Sequence, residues 1–158
     1  MTADQNQLII NLLQTEWEFL QAAVSTLKLS VHKCHLIGIK ESYSFEELES
    51  FDSLTSKFNR TSDIFTQKVL RTVWILLHEP FAPFIDMMNN CEKMGILGSA
   101  DQMIEIRDLR NQIAHEYLPD AIRELVPETM ELSASLFENI ETCKLFIVRR
   151  DWIISEKG

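Results

Sequence analysis

The run "RNQIAHEY", Arg110 to Tyr117, holds four side chains from which a reaction could be assembled. Arg110 is a permanent cation whose planar fork can hold two oxygens of a phosphate. His115 is the one group of the run that exchanges a proton near neutral pH. Asn111 can fix an imidazole ring or hydrogen-bond a phosphate oxygen, but cannot act as acid or base. Tyr117 carries a phenol, a usable nucleophile for an activated group. An arginine and a histidine together can hold a phosphate and move a proton beside it. No cofactor is expected.

On a continuous helix Arg110 and Tyr117, seven apart, share nearly one face, and Asn111 and His115, four apart, share the next. All four would then border one cleft at a helix C-terminus. Spacing alone favours a plainer account: a helix end with a histidine near the carbonyl pole and a tyrosine packed over it.

Other stretches carry less. "NRTSD", Asn59 to Asp63, interrupts an apolar pattern with five polar residues. A solvated face explains most of them, yet Arg60 and Asp63 are one turn apart and could pair or line a cleft. "VHKCH" offers His32, Cys34 and His35 as metal ligands. His32 and Cys34 face different ways on a helix, and no second cluster closes a tetrahedron, so a structural or surface role is expected and no metal site. Gly98-Ser99 lacks the paired carboxylates of a nucleotidyltransferase, because no Asp-x-Asp occurs. The sequence has no P-loop, G-x-G-x-x-G or H-E-x-x-H.

The elements that must position these residues read as helices. The 158 residues are 46% hydrophobic and 25% charged, with four glycines and four prolines, too little punctuation for many short strands. Ile9, Leu13, Trp17, Leu20, Val24, Leu27 and Val31 mark a long amphipathic helix from Gln5 to about Ile37, its stripe widened by Leu8, Leu12, Phe19 and Ala23. Ser44 and Glu47 form a capping-box pattern before a second long helix, which ends ahead of "HEPFAP". A shorter helix, Phe84 to Met94, stops at Gly95. Ser99 and Gln102 form another box, and a fourth helix runs to about Tyr117, with Met103, Ile106, Leu109 and Ile113 inward and Pro119 ending it. A helical turn, Asp120 to Leu125, precedes Pro127 and the last helix. These elements predict an all-α, antiparallel bundle of four to five helices, one domain over 1–158.

A net charge of −9 argues against a broad basic nucleic-acid face, though not against a small phosphate pocket. Three cysteines with no C-x-x-C make a disulfide framework unexpected. The N-terminus lacks a signal-peptide pattern and no apolar stretch approaches 18 residues, so a cytoplasmic protein without a membrane span is expected.

"RNQIAHEY" resembles the R-x4-H-x-Y motif of HEPN domains, specifically the toxins of HEPN/minimal nucleotidyltransferase toxin–antitoxin pairs. Asn111 fills the polar place that typically follows the arginine there. That family is an all-α bundle of about this length with the motif near the end of its fourth helix, so the helix order agrees over essentially the whole chain. The resemblance implies a metal-independent ribonuclease acting as a homodimer, with Arg110 and His115 catalytic and Asn111 supporting. It also implies an antitoxin that transfers AMP to Tyr117. The implied reaction uses the nucleophile that RNA carries, the ribose 2′-OH, and needs a proton acceptor, a proton donor for the leaving 5′-oxygen, and a cation over the phosphate oxygens. A dimer then has a chemical reason: one histidine performs one of the two proton transfers well, and two copies supply two. The rival expectations are a non-catalytic helical subunit that holds a nucleotide or docks a nucleotidyltransferase, and a plain structural dimer.

Overall fold

The computed structural model describes residues 1–153. The expected single domain over 1–158 therefore extends into residues that lie outside the described ones. Among the described residues every regular element is helical: α1 Ala3–Ile37, α2 Phe45–Asp63, a π-helical segment Ile64–Val69, α3 Leu70–Leu76, α4 Phe84–Lys93, α5 Ala100–Ala114 and α6 Pro119–Arg149. Because α2, the π segment and α3 run on without a break, they form one long rod, and the chain is an all-α bundle of five helical rods.

Local chemistry sets the starts. At α1, Thr2 and Gln5 close a capping box, and Ser44 and Glu47 close the one expected at α2. The second expected box is only half made. Ser99 Oγ accepts from Gln102 N, but the cap N–H groups of Gly98 and Ser99 donate to Asn139 Oδ1 at 3.1 and 3.0 Å. Asn139, buried on α6, also donates to Gln102 Oε1 and Ser135 O. It thus takes over the role of the box glutamine and ties α6 to the start of α5.

The inward stripes pack one core. Leu13, Leu20 and Leu27 of α1 meet Phe51, Leu54 and Phe58 of α2, with Met103, Ile106 and Leu109 of α5 and Leu132, Leu136 and Ile140 of α6 in the same cluster. Rod α2 is central, in contact with α1, α5 and α6, while α4 packs on α5. Leu8, Leu12 and Phe19 stay more than half exposed, so the wide stripe of α1 exceeds what this fold buries.

Two prolines act differently from expectation. Pro119 starts α6 at its first turn instead of ending α5, where its missing N–H costs nothing. Pro127 lies inside α6, so the expected separate turn at Asp120 to Leu125 belongs to the same helix. Buried Val126 and Thr129 flank it, and Thr129 Oγ1 donates to Leu125 O at 2.7 Å. Packing on both sides overrides the local break.

Candidate functional site

Where α2 passes into the π segment it lies against the last two turns of α5. Asp63 accepts two hydrogen bonds from Arg110, Nε to Oδ1 at 2.9 Å and Nη2 to Oδ2 at 2.8 Å. This side-on pair is about one-third exposed on both partners. It commits one edge of the guanidinium and leaves Nη1 without a protein hydrogen bond among the described residues. The hydrogen bonds that Arg110 donates to Asp63, more than the Asp63 charge, hold the Arg110 pKa above its ordinary value, so Arg110 stays charged. Asn59, one turn before Asp63, donates Nδ2 to the Arg110 carbonyl at 3.3 Å, and its own Oδ1 is buried without a partner.

The pairing of Arg60 with Asp63 that their spacing allows does not form. Arg60 is exposed, and Asp63 turns to a residue 47 positions away. Of the two candidate cleft residues in "NRTSD", Asp63 joins the motif and Arg60 does not. Residues 62–63 and the π segment line one cleft of about 600 Å3, closed on its other sides by Arg107, Arg110 and Asn111 of α5 and by the strap 79–84. π-Helical turns often accompany functional sites, because the extra residue per turn re-aims side chains. Here Thr66 and Gln67 of that segment face the cleft.

The second half of the motif departs from the sequence expectation. Helix α5 ends at Ala114, and His115 is its C-cap, with φ −95° and ψ −1°. Tyr117 is outside the helix, so the seven-residue spacing from Arg110 does not place them on one face. The cause is Pro119. It requires an extended residue before it, and Leu118 has φ −98° and ψ 127°. Leu118 then cannot continue α5, and Glu116 Oε1 accepts from the N–H groups of Tyr117 and Leu118 to close the turn.

Tyr117 is 86% exposed and lines a second cleft, also of about 600 Å3, between Phe45–Asn59 of α2 and the α5–α6 turn. No residue lines both clefts, and His115, itself exposed, lines neither. Within one chain the structure thus brings together Arg110, Asn111 and Asp63, and leaves His115 and Tyr117 on an open turn.

The histidine–cysteine run divides similarly. Cys34 is buried, with Sγ 3.6 Å from the Ser50 carbonyl, while His32 and His35 are exposed on α1. Burial raises the Cys34 thiol pKa, partly offset by Lys33 and Lys57.

Several cleft residues gave no usable signal in the sequence. Arg71 is an isolated arginine on a helix, Arg107 precedes the motif by one turn, and Phe81 sits in a proline-rich connector. Besides Arg110 and Asn111 themselves, the polar run 59–63 and the prolines of the strap flagged the region. No helix is long and apolar enough to cross a membrane among the described residues. No family model, curated protein or solved structure matches the chain.

Proposed function

We propose that the chain is the toxin of a toxin–antitoxin pair, a metal-independent endoribonuclease that is neutralised when a partner minimal nucleotidyltransferase transfers AMP to Tyr117. One observation carries the reading: Asp63 fixes Arg110 side-on with Nη1 unengaged, and an exposed His115 follows five residues later in the R-x4-H-x-Y order. Arg110 holds the scissile phosphate and stabilises its developing charge. His115 moves the proton of the 2′-OH or of the leaving oxygen, and the product ends in a 2′,3′-cyclic phosphate. The acid and base come from two copies of the chain.

That homodimer is supported by the surplus apolar face of α1, where Leu8, Leu12 and Phe19 fall within one narrow arc of the helix. Light scattering at micromolar concentration is expected to give twice the mass of one chain. A monomer that still cleaves RNA would remove the composite site. Exposure of the Tyr117 hydroxyl supports its role as AMP acceptor, and the bulky anion formed there would shut RNA out by charge and volume.

Cleavage of RNA in the presence of EDTA, measured on wild type, Arg110→Ala and His115→Ala, is the test. Loss in both variants is expected. Equal activity in all three would end the assignment.

A second reading has its own support. The Asp63 carboxylate already neutralises Arg110, and His115 does not line the Arg110 cleft. Both fit a non-catalytic subunit that holds a nucleotide or docks a nucleotidyltransferase. Under that reading purified protein leaves RNA intact at every concentration.

A further inference from the structure

The cleft beside Arg110 contains more than the motif. Arg71, at the start of α3, and Arg107, one turn before Arg110, line it too. Arg110 is committed to Asp63, but Arg71 enters none of the ion pairs among the described residues. The nearest carboxylate recorded for Arg107 is that of its chain neighbour Asp108, at 3.9 Å, and its Nε is buried with no hydrogen-bond partner. Glu79 is the one other acid of the lining besides Asp63. The cleft is therefore a cationic spot on an acidic protein, with guanidinium donors left to satisfy.

The cleft is also lined by aromatic rings. The Arg107 guanidinium lies 4.4 Å over the Phe84 ring, and Trp74 lines the cleft next to Ile75. Phe81 projects from the strap and is 89% exposed. This strap is held firmly. Trp74 Nε1 donates to the Pro80 carbonyl at 2.9 Å, Glu79 N to the Trp74 carbonyl at 3.4 Å, and Pro80 and Pro83 stiffen both sides of Phe81. His78 turns the chain into it at φ 58°, a conformation rare for a side-chain-bearing residue. The backbone that carries Phe81 is thus held in place, and its ring is open to solvent at the cleft.

A stacking ring, other aromatic rings and unpaired arginines within one cleft match the chemistry of a single unstacked nucleotide: a base for the rings and a phosphate for the arginines. We infer that this cleft is the substrate-reading subsite, taking an unpaired nucleotide of single-stranded RNA with its base on Phe81 and its phosphate on Arg71 and Arg107. The inference rests on the ribonuclease reading, since Arg110 borders the same cleft and would hold the neighbouring, scissile phosphate. A base-paired nucleotide cannot enter, because its faces are already stacked and the A-form backbone holds it away. The enzyme consequently selects loops and unpaired ends.

The experiment separates binding from cleavage. The probe is a fluorescent single-stranded oligoribonucleotide of mixed sequence carrying 2′-O-methyl groups, which cannot be cut by 2′-OH attack. Anisotropy is measured with wild type, Phe81→Ala, Arg71→Ala and the control Leu36→Ala, an exposed apolar residue on α1. Phe81→Ala and Arg71→Ala are expected to weaken binding by roughly fivefold or more each, with the control unchanged. The same sequence as a duplex binds at least about tenfold more weakly than the single strand.

Wild-type affinity in both variants, equal affinity for duplex, or no saturable binding at all would each overturn the subsite. Displacement of the probe by AMP at concentrations below those at which RNA binds would make the occupant a free nucleotide, and would also overturn it. Failure of the parent reading looks different: binding then depends on Phe81 and Arg71 while His115→Ala leaves cleavage untouched.

Discussion

The two halves of the motif, five residues apart, are held in opposite ways. Arg110 sits in the last turns of a packed helix, fixed by two hydrogen bonds to Asp63 and by Asn59 at its carbonyl. His115 and Tyr117 sit on an exposed turn whose shape is set by Pro119 and by the Glu116 side chain. The first half is positioned before any ligand arrives. The second is accessible, and accessibility is what a proton shuttle completed by another chain, or a tyrosine modified by another enzyme, requires. The difference also fixes what each substitution should do to stability as opposed to activity.

The largest effects test that split directly. His115→Ala and Arg110→Ala are each expected to lower RNA cleavage about a hundredfold or more. Their stabilities should differ. His115→Ala should stay within about 0.5 kcal/mol of wild type in urea unfolding, because the side chain is exposed. Arg110→Ala should lose about 1 kcal/mol, as it leaves Asp63 without its partner. Equal destabilisation by both would show that the turn is held as tightly as the helix, and the contrast would be wrong.

A subtler break comes from Asp63→Asn. The volume is kept, but the side-on carboxylate that orients the guanidinium is gone. Cleavage is expected to fall about tenfold, through misplacement and not through loss of the cation. Activity at the wild-type level would mean that Arg110 is positioned by the substrate alone.

Smaller still is the effect of Tyr117→Phe on the protein by itself. One exposed hydroxyl is removed, so thermal unfolding and RNA cleavage should match wild type. The difference appears only with the partner nucleotidyltransferase, ATP and magnesium. Intact-mass spectrometry should then show AMP on wild type and none on the variant. Equal modification of both would move the acceptor elsewhere. Inhibition with no change of mass would make the antitoxin a protein that occludes the cleft.

The anchored half was also the harder half to read. Inward positions such as Met103, Ile106, Leu109 and Ile113 follow from periodicity, because burial on a helix repeats locally. The partner of Asp63 does not. Local spacing offered Arg60, one turn away, whereas the fold supplies Arg110 from another helix, and no pattern within either helix encodes that choice. The π segment is equally silent in sequence, since it has no composition of its own. The ends of α5 and α6 misled for a different reason. A proline reads as a stop or as a start by the same chemistry, and only the packing of α6 decides that Pro119 starts a helix and Pro127 sits within one. That misreading is what placed Tyr117 on the helix face with Arg110.

A last effect is expected in the core, away from the polar side chains of the motif. Cys34, Cys91 and Cys143 are all buried, and burial raises all three thiol pKa values, that of Cys91 from 9.0 to about 12 and that of Cys143 further, through its deeper burial first and the nearby Cys91 second. A buried thiol is a poor nucleophile because the thiolate is the reactive form. At pH 8 a disulfide exchange reagent should therefore find no reactive thiol in the folded protein and three after unfolding in guanidinium. The sign of the alkaline response follows from the same shift. Below pH 9 Cys91 is protonated in both states and leaves stability unchanged. Between pH 9 and about 12 the unfolded thiol has lost its proton while the folded one keeps it, so the unfolded state binds fewer protons and stability falls as pH rises. Cys91→Ala should flatten that fall, although the lost sulfur lowers stability somewhat at neutral pH. Rapid reaction of a thiol in folded protein at pH 8 would show instead that the core opens readily, and the rigid frame assigned to Arg110 would then need another source.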